Sequence, residues 1–196
     1  MAYTFNRNKP DQDENPWITH STEEKYSNPW IRITHRKVTN PSGNPGIYGV
    51  VHFRNTAIGV VPIDQDGYTW LVGQYRYTLQ QYHWEIPEGG CPEGEAPLDA
   101  AKRELEEETG LRAAQWIPLL EAHLSNSVTD EYCQCFIALD LTPGSTQPED
   151  TEQLKIRRLP LQEAIKMALD GRITDAVSVM ALLKVALVYP LAKQGC

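Results

Sequence analysis

Nothing in the sequence approaches the roughly 18 consecutive apolar residues that a membrane-spanning helix needs, and the opening Met1-Ala-Tyr-Thr-Phe-Asn-Arg-Asn has no apolar stretch of the kind that directs secretion. A cytoplasmic chain with no membrane partner is therefore expected. An excess of basic residues is also missing. With Lys and Arg at 18 against Asp and Glu at 26, the net charge is −8, which leaves no electrostatic footprint for a nucleic acid polymer. The four cysteines, Cys91, Cys133, Cys135 and Cys196, form no C-x-x-C pair and have no histidines at zinc spacing, so they read as free thiols. Internal repeats and low-complexity tracts are absent. What is present, 41% hydrophobic and 22% charged residues, is an ordinary globular composition. A small anionic substrate would need local help from a metal ion or a few placed arginines.

Residues 8 to 29 carry Pro10, Pro16 and Pro29 and show no sustained period, so an extended arm or loop is expected there. Ile31 to Val38 alternates, Asn40 to Gly46 supplies turn residues, and Ile47 to Phe53 reads as a returning strand. Together they predict a small antiparallel N-terminal unit over residues 1–55. Ala57 to Ile63 is a buried-strand run, Asp66-Gly67 a hairpin turn signal, and Thr69 to Arg76 its partner strand. After the glycine-rich bend at Glu88-Gly89-Gly90, a helix is expected from about Leu98 to Thr109, with Pro97 in its first turn and Gly110 just past its end. Glu131 to Leu141 reads as a strand, Thr142 to Gln153 as a polar loop, and two helices follow, from about Leu161 to Asp170 and from about Ala176 to Tyr189. Residues 56–196 thus predict a mixed sheet covered by helices.

Within the first of these helices Glu104, Glu107 and Glu108 fall on one arc of about 100°, beside an apolar stripe of Leu98, Ala101 and Leu105. Carboxylates at this spacing repel, by a few tenths of a kcal/mol per pair on an exposed face and by more when partly buried. Arg103 can reach Glu107 one turn on. A divalent, oxygen-preferring cation would balance the remaining charge, with a backbone carbonyl of the Gly89-Gly90 bend as a further ligand.

Gly89, Glu95, Arg103, Glu104, Leu105, Glu107, Glu108, Gly110 and Leu111 stand at the spacing Gly-x5-Glu-x7-Arg-Glu-aliphatic-x-Glu-Glu-x-Gly-aliphatic. This segment resembles the Nudix box at every position. At ~10% per residue type, chance would produce its fixed positions in about one chain of this length in 10⁵. The resemblance implies an α+β Nudix fold, an α/β/α sandwich with a mixed β-sheet, here with the small antiparallel N-terminal β unit added. It implies metal-dependent cleavage of a nucleoside diphosphate, with Mg²⁺ as the cofactor and Mn²⁺ as a substitute. Glu104, Glu107, Glu108 and Gly89 would be the metal ligands, Arg103 would be part of the catalytic set, and Glu95 would orient the loop and Arg103.

Further stretches are similar to the ADP-ribose pyrophosphatase branch of that family. Gln74-Tyr-Arg76 resembles its strand end, implying that Arg76 faces the diphosphate. Trp84-Glu85 resembles its approach to the bend, implying that Glu85 takes a sugar hydroxyl, and Gly171 to Asp175 resembles the turn between its last helices. The branch carries a mobile catalytic glutamate in an acidic loop, matched here by Glu152. It also exchanges N-terminal units between subunits, implying a homodimer in which Trp30 stacks on the substrate base. One position departs: Ser125-Asn126-Ser127 stands where ADP-ribose enzymes carry Ser-Pro-Gly. ADP-ribose is therefore the expected substrate, with GDP-mannose or another nucleotide sugar as the alternative. A noncatalytic nucleotide-sensing module is the alternative from another class, although such modules usually lose metal glutamates and none is lost here.

Overall fold

The computed structural model describes residues 14–144 and 154–189. The chain divides into two compact units, Met1–Asn55 with His123–Tyr132, and Thr56–Ala122 with Cys133–Cys196.

The first unit is an antiparallel sheet of β1 (Ile18–Ser27), β2 (Ile31–Thr39) and β3 (Pro45–Phe53), in that order. Where an extended arm is expected, β1 is a full strand, paired from Ile18↔Thr39 to Ser27↔Arg32. Every residue of β1 is exposed, so it buries no face and leaves no alternation to read. Its pairing comes from the backbone ladder, with His20 Nε2 meeting Thr39 Oγ1 of β2 at 2.7 Å, and its charged residues suit an edge. The segment 123–132 is fixed to β3. Val51 N–H donates to Val128 O, Tyr48 Oη to Ser127 O at 2.7 Å, and Phe53 N–H to Asp130 Oδ1 at 2.9 Å. Asp130 Oδ2 also meets His52 Nδ1 at 2.5 Å.

The second unit is built on β4 (Thr56–Pro62), β5 (Tyr68–Arg76), β6 (Gln81–Glu85), β7 (Glu88–Cys91), α1 (Pro97–Thr109), β8 (Leu111–His123), β9 (Tyr132–Pro143), β10 (Lys155–Pro160), α2 (Leu161–Leu169) and α3 (Ala176–Val188). One sheet has the order β7-β4-β9-β8 and is mixed, since β4 is antiparallel to β7 and parallel to β9. The other has the order β10-β5-β6 and is antiparallel. β4 and β5 are therefore not hairpin partners, contrary to the reading of Asp66-Gly67. Asp64 Oδ1 accepts from the N–H groups of Asp66 and Tyr68, closing a turn after which β5 enters the second sheet, where β6 and β10 take both of its edges. β6, β8 and β10 were not anticipated, and β7 extends what looked like a bend. β6 and β10 are short with little burial, and β8 alternates irregularly.

Ile58 and Val60 of β4, with Phe136 and Ala138 of β9, pack against Ala100, Ala101 and Leu105 of α1. Gly59, between Ile58 and Val60, faces the other way, where a Cβ would meet Val177 of α3 and Cys135 of β9. Helices thus cover both faces of the mixed sheet, and strands buried on two sides read as the continuous apolar run of Ala57 to Ile63. Full burial of Leu105 alone is worth about 1.5–3 kcal/mol. Leu98, expected in the apolar stripe, is exposed, and Ala100 is buried in its place. Cys91, Cys133 and Cys135 are buried free thiols. Among the described residues no helix is long and apolar enough to cross a membrane.

Candidate active site

α1 begins at Pro97, whose missing N–H costs nothing in a first turn. It ends at Gly110, where φ of 68° suits glycine, and whose N–H closes the last turn on Glu106 O. Its carboxylates point at the sheet rather than away from it: Glu108 is 2% exposed and Glu104 9%, while Glu107 stays about one-third exposed. Arg103 joins the group together. Nη1 donates to Glu104 Oε1 at 2.7 Å and to Glu107 Oε2 at 3.0 Å, Nη2 to Gly90 O at 2.8 Å and Glu95 Oε2 at 3.0 Å, and Nε to Glu95 Oε1 at 3.2 Å. Glu95 does most to hold the guanidinium charged, and with Glu104 and Glu107 it outweighs the opposing effect of burial.

β7 brings the bend against this face of the helix. Glu88 N–H donates to Glu108 Oε2 at 2.8 Å. A Cβ at Gly89 would occupy the place of the Glu104 carboxylate, which would have to swing aside, so glycine lets the backbone and that carboxylate lie this close. A second charged group forms beside it. Arg76, at the end of β5, donates from Nε to both Glu85 oxygens at 2.9 and 3.0 Å, and from Nη2 to Glu85 Oε2 and Glu88 Oε1, each at 2.6 Å. Asp175, ahead of α3, completes it: Glu85, Glu88 and Asp175 each bring a carboxylate oxygen within 4.8 Å of the others. Burial, then the charges of Asp175 and Glu85, push Glu88 well above the usual carboxylate range, with Arg76 pulling the other way. Burial works against charge on Arg76, but its hydrogen bond to Glu85 and the three carboxylates hold it charged more firmly than a free arginine.

Gly89, Arg103, Glu104, Glu107 and Glu108 therefore meet where β7 faces α1, and Arg76 and Glu85 meet at the end of the β5–β6 pair. Trp30 lies in the first unit, 68% exposed, its carbonyl accepting from Arg54 N–H. Glu152 falls outside the described residues. Glu88 and Asp175 were not singled out from the sequence. The signal for Asp175 was there, because an Asp directly before an apolar helical run is an N-cap. The position of Glu88 in Pro87-Glu88-Gly89-Gly90 carries no periodic signal.

The residues present fit a hard divalent cation. The donors are carboxylate and carbonyl oxygens, two of the helix carboxylates are buried, and the bare Gly89 backbone leaves the Glu104 carboxylate room that a Cβ would fill.

A NUDIX domain model matches residues 53–182, about two-thirds of the chain, and with the complete box this places the chain in the Nudix hydrolase family. It is a Nudix pyrophosphohydrolase, and members of this family generally use a divalent metal ion. Residues 17–51 match the nucleoside diphosphate sugar hydrolase N-terminal domain. The chain is 29% identical over 176 residues to an ADP-ribose pyrophosphatase of Mycobacterium tuberculosis, covering 88% of this chain and 84% of that protein. It is 30% identical over 166 residues to a methanol dehydrogenase activator of Bacillus methanolicus, covering 84% and 89%. The crystal structure of an ADP compounds hydrolase shares its fold, with a TM-score of 0.80 at 23% identity, covering 90% of this chain and 95% of that one.

Proposed function

We propose that the chain cleaves the pyrophosphate bond of a nucleoside diphosphate sugar, with ADP-ribose giving AMP and ribose 5-phosphate as the preferred reaction. The observation that supports this most is the helix group itself, in which Arg103 ties Glu104 and Glu107 to Glu95 and the bare Gly89 backbone lies against the Glu104 carboxylate. Similarity to an ADP-ribose pyrophosphatase over most of both chains supports the choice of substrate.

Glu104, Glu107, Glu108 and the Gly89 carbonyl would hold Mg²⁺, or Mn²⁺ in its place, which would supply charge neutralisation at the diphosphate and a lowered pKa for the attacking water. Arg103 fixes the rotamers of Glu104 and Glu107, so the carboxylates need little rearrangement. Arg76 is the fork donor to the diphosphate. Glu85 is 2% exposed and engaged by Arg76, so a sugar hydroxyl reaches it only when that pair opens. Glu152 takes the proton of the attacking water or adds a ligand.

The chain acts as a homodimer. A three-stranded sheet whose β1 buries nothing gains from a partner to cover it, and Trp30, exposed on that unit, is the candidate to stack on the base. A cytoplasmic location suits the buried free thiols.

The test is side-by-side kinetics with Mg²⁺ on ADP-ribose, GDP-mannose and nucleoside triphosphates, following release of monophosphate. ADP-ribose should give the highest kcat/KM. If GDP-mannose is better by about tenfold, roughly 1.4 kcal/mol, the assignment to ADP-ribose fails and diphosphate hydrolysis survives. Light scattering of the active protein should give the mass of a dimer, and a fully active monomer would refute that part.

A further inference from the structure

Arg76 faces three carboxyl groups, and although burial and its neighbours push Glu88 toward the neutral form, Glu85 and Asp175 still set two acids against one guanidinium. Glu85 grips it with both oxygens and Glu88 with one, and Asp175 adds a third carboxylate within 4.8 Å of both glutamates. The third is built in by hydrogen bonds. Asp175 caps α3, its Oδ2 accepting from Ser178 N–H at 2.7 Å. Ser178 is fully buried, and its Oγ accepts from Ile86 N–H at 3.0 Å. Ile86-Pro87 is the connector between Glu85 and Glu88, and its other side is fixed by Val60 N–H donating to Pro87 O at 2.8 Å. The first turn of α3 thus sets the spacing of both glutamates around Arg76 and places its own cap residue beside them.

Capping does not require that charge. Asn and Ser cap helices as well as Asp, whereas a third carboxylate beside two others is unfavourable unless something gains from it. The gain lies with Arg76, whose Nε and Nη2 donors are already committed to Glu85 and Glu88. A diphosphate arriving here competes with those carboxylates and meets net negative charge. The balance reverses once a divalent cation offsets it.

We propose that Asp175 is a positioning residue that keeps Arg76 turned to Glu85 and Glu88, and so makes nucleotide binding conditional on a divalent cation. This rests on the reading above that Arg76 binds the diphosphate.

The test measures binding of ADP, which carries a diphosphate whatever sugar is preferred, by calorimetry in EDTA and in Mg²⁺. In EDTA, Asp175→Asn should bind ADP at least about fivefold more tightly than the wild type, and Asp175→Ser should match it as a second uncharged cap. Asp175→Glu should restore weak binding. With saturating Mg²⁺ the difference should fall below about twofold, and any change in turnover should appear in KM at limiting Mg²⁺ rather than in kcat. Equal affinity of the wild type and both uncharged variants in EDTA would overturn the proposal, as would a gain that persists in the Asp175→Asn/Arg76→Ala double variant. A different result marks failure of the underlying reading: Arg76→Ala alone leaving ADP affinity in Mg²⁺ unchanged.

Discussion

The two charged groups of the candidate site are each arranged around one arginine, yet they are assembled in opposite ways. Around Arg103, two of the three carboxylates sit on the same helix at i+1 and i+4, and the third, Glu95, lies just before it. Around Arg76, the carboxylates come from the end of β6, the start of β7 and the cap of α3. The first group is local in sequence, so one helix and the turn that leads into it fix its geometry. The second exists only when three connections are correctly folded, which makes it the more dependent on distant residues. The difference suggests a division of labour, with the helix group serving the chemical step and the assembled group serving substrate capture.

The largest effect should come from the helix group. Glu107→Gln and Glu108→Gln are each expected to lower kcat by at least about 10²-fold at saturating Mg²⁺, because each removes a charge from the proposed cation site with little change of shape. Thermal melts should show the fold retained. Near-normal turnover in both would break the assignment of the chemical step to α1.

Arg76→Ala should act on the other axis, raising KM about tenfold, roughly 1.4 kcal/mol, with a smaller change in kcat. Arg76→Lys should recover little, since an ammonium cannot span Glu85 with a fork. Steady-state kinetics on both variants decide it. If Arg76→Ala depresses kcat as far as Glu107→Gln does, the two groups are one machine and the comparison fails.

The same contrast explains what the sequence disclosed. Gly89, Glu95, Arg103, Glu104, Glu107 and Glu108 were legible because a single helix and its approach turn spacing into geometry. α1 and α3 were legible from Pro97, Gly110 and the apolar run after Asp175, and the NUDIX match and the shared fold agree with the expected mixed sheet between helices. β1 was hidden because it pairs chiefly through its backbone and every residue is exposed, leaving no alternation to read. The hairpin expected at Asp66-Gly67 was misread because a turn signal does not say into which sheet the second strand goes. Glu88 and Asp175 lie 87 residues apart by their numbering, and only the fold puts them together.

Ser178 offers a smaller effect that bears on the assembly of the Arg76 group. Replacing it with Ala removes the acceptor of a buried Ile86 N–H, and an unsatisfied buried donor costs about 1–3 kcal/mol. Urea unfolding should show that loss, with KM rising more than kcat falls. A variant as stable as the wild type would mean that the Glu85–Glu88 connector does not depend on α3.

The smallest effect separates the two duties of Asp175. Its Oδ2 accepts from Ser178 N–H, one of the four N–H groups left without a helical partner at the start of α3. Ala cannot accept that bond, so Asp175→Ala should cost about 1 kcal/mol in unfolding free energy, within the ~0.5–2 kcal/mol seen for lost caps. Asn keeps an oxygen in the same place and gives up only the attraction of a carboxylate to the helix N-terminus, about 0.3–1 kcal/mol. The carboxylate also faces Glu85 and Glu88, and relief of that repulsion offsets the loss, so Asp175→Asn should stay within about 0.5 kcal/mol of the wild type. Chemical denaturation of the two variants in parallel makes the comparison. An Asn variant as destabilised as the Ala variant would mean that the charge itself holds the cap, leaving no separate gain at Arg76 to account for an aspartate at this position.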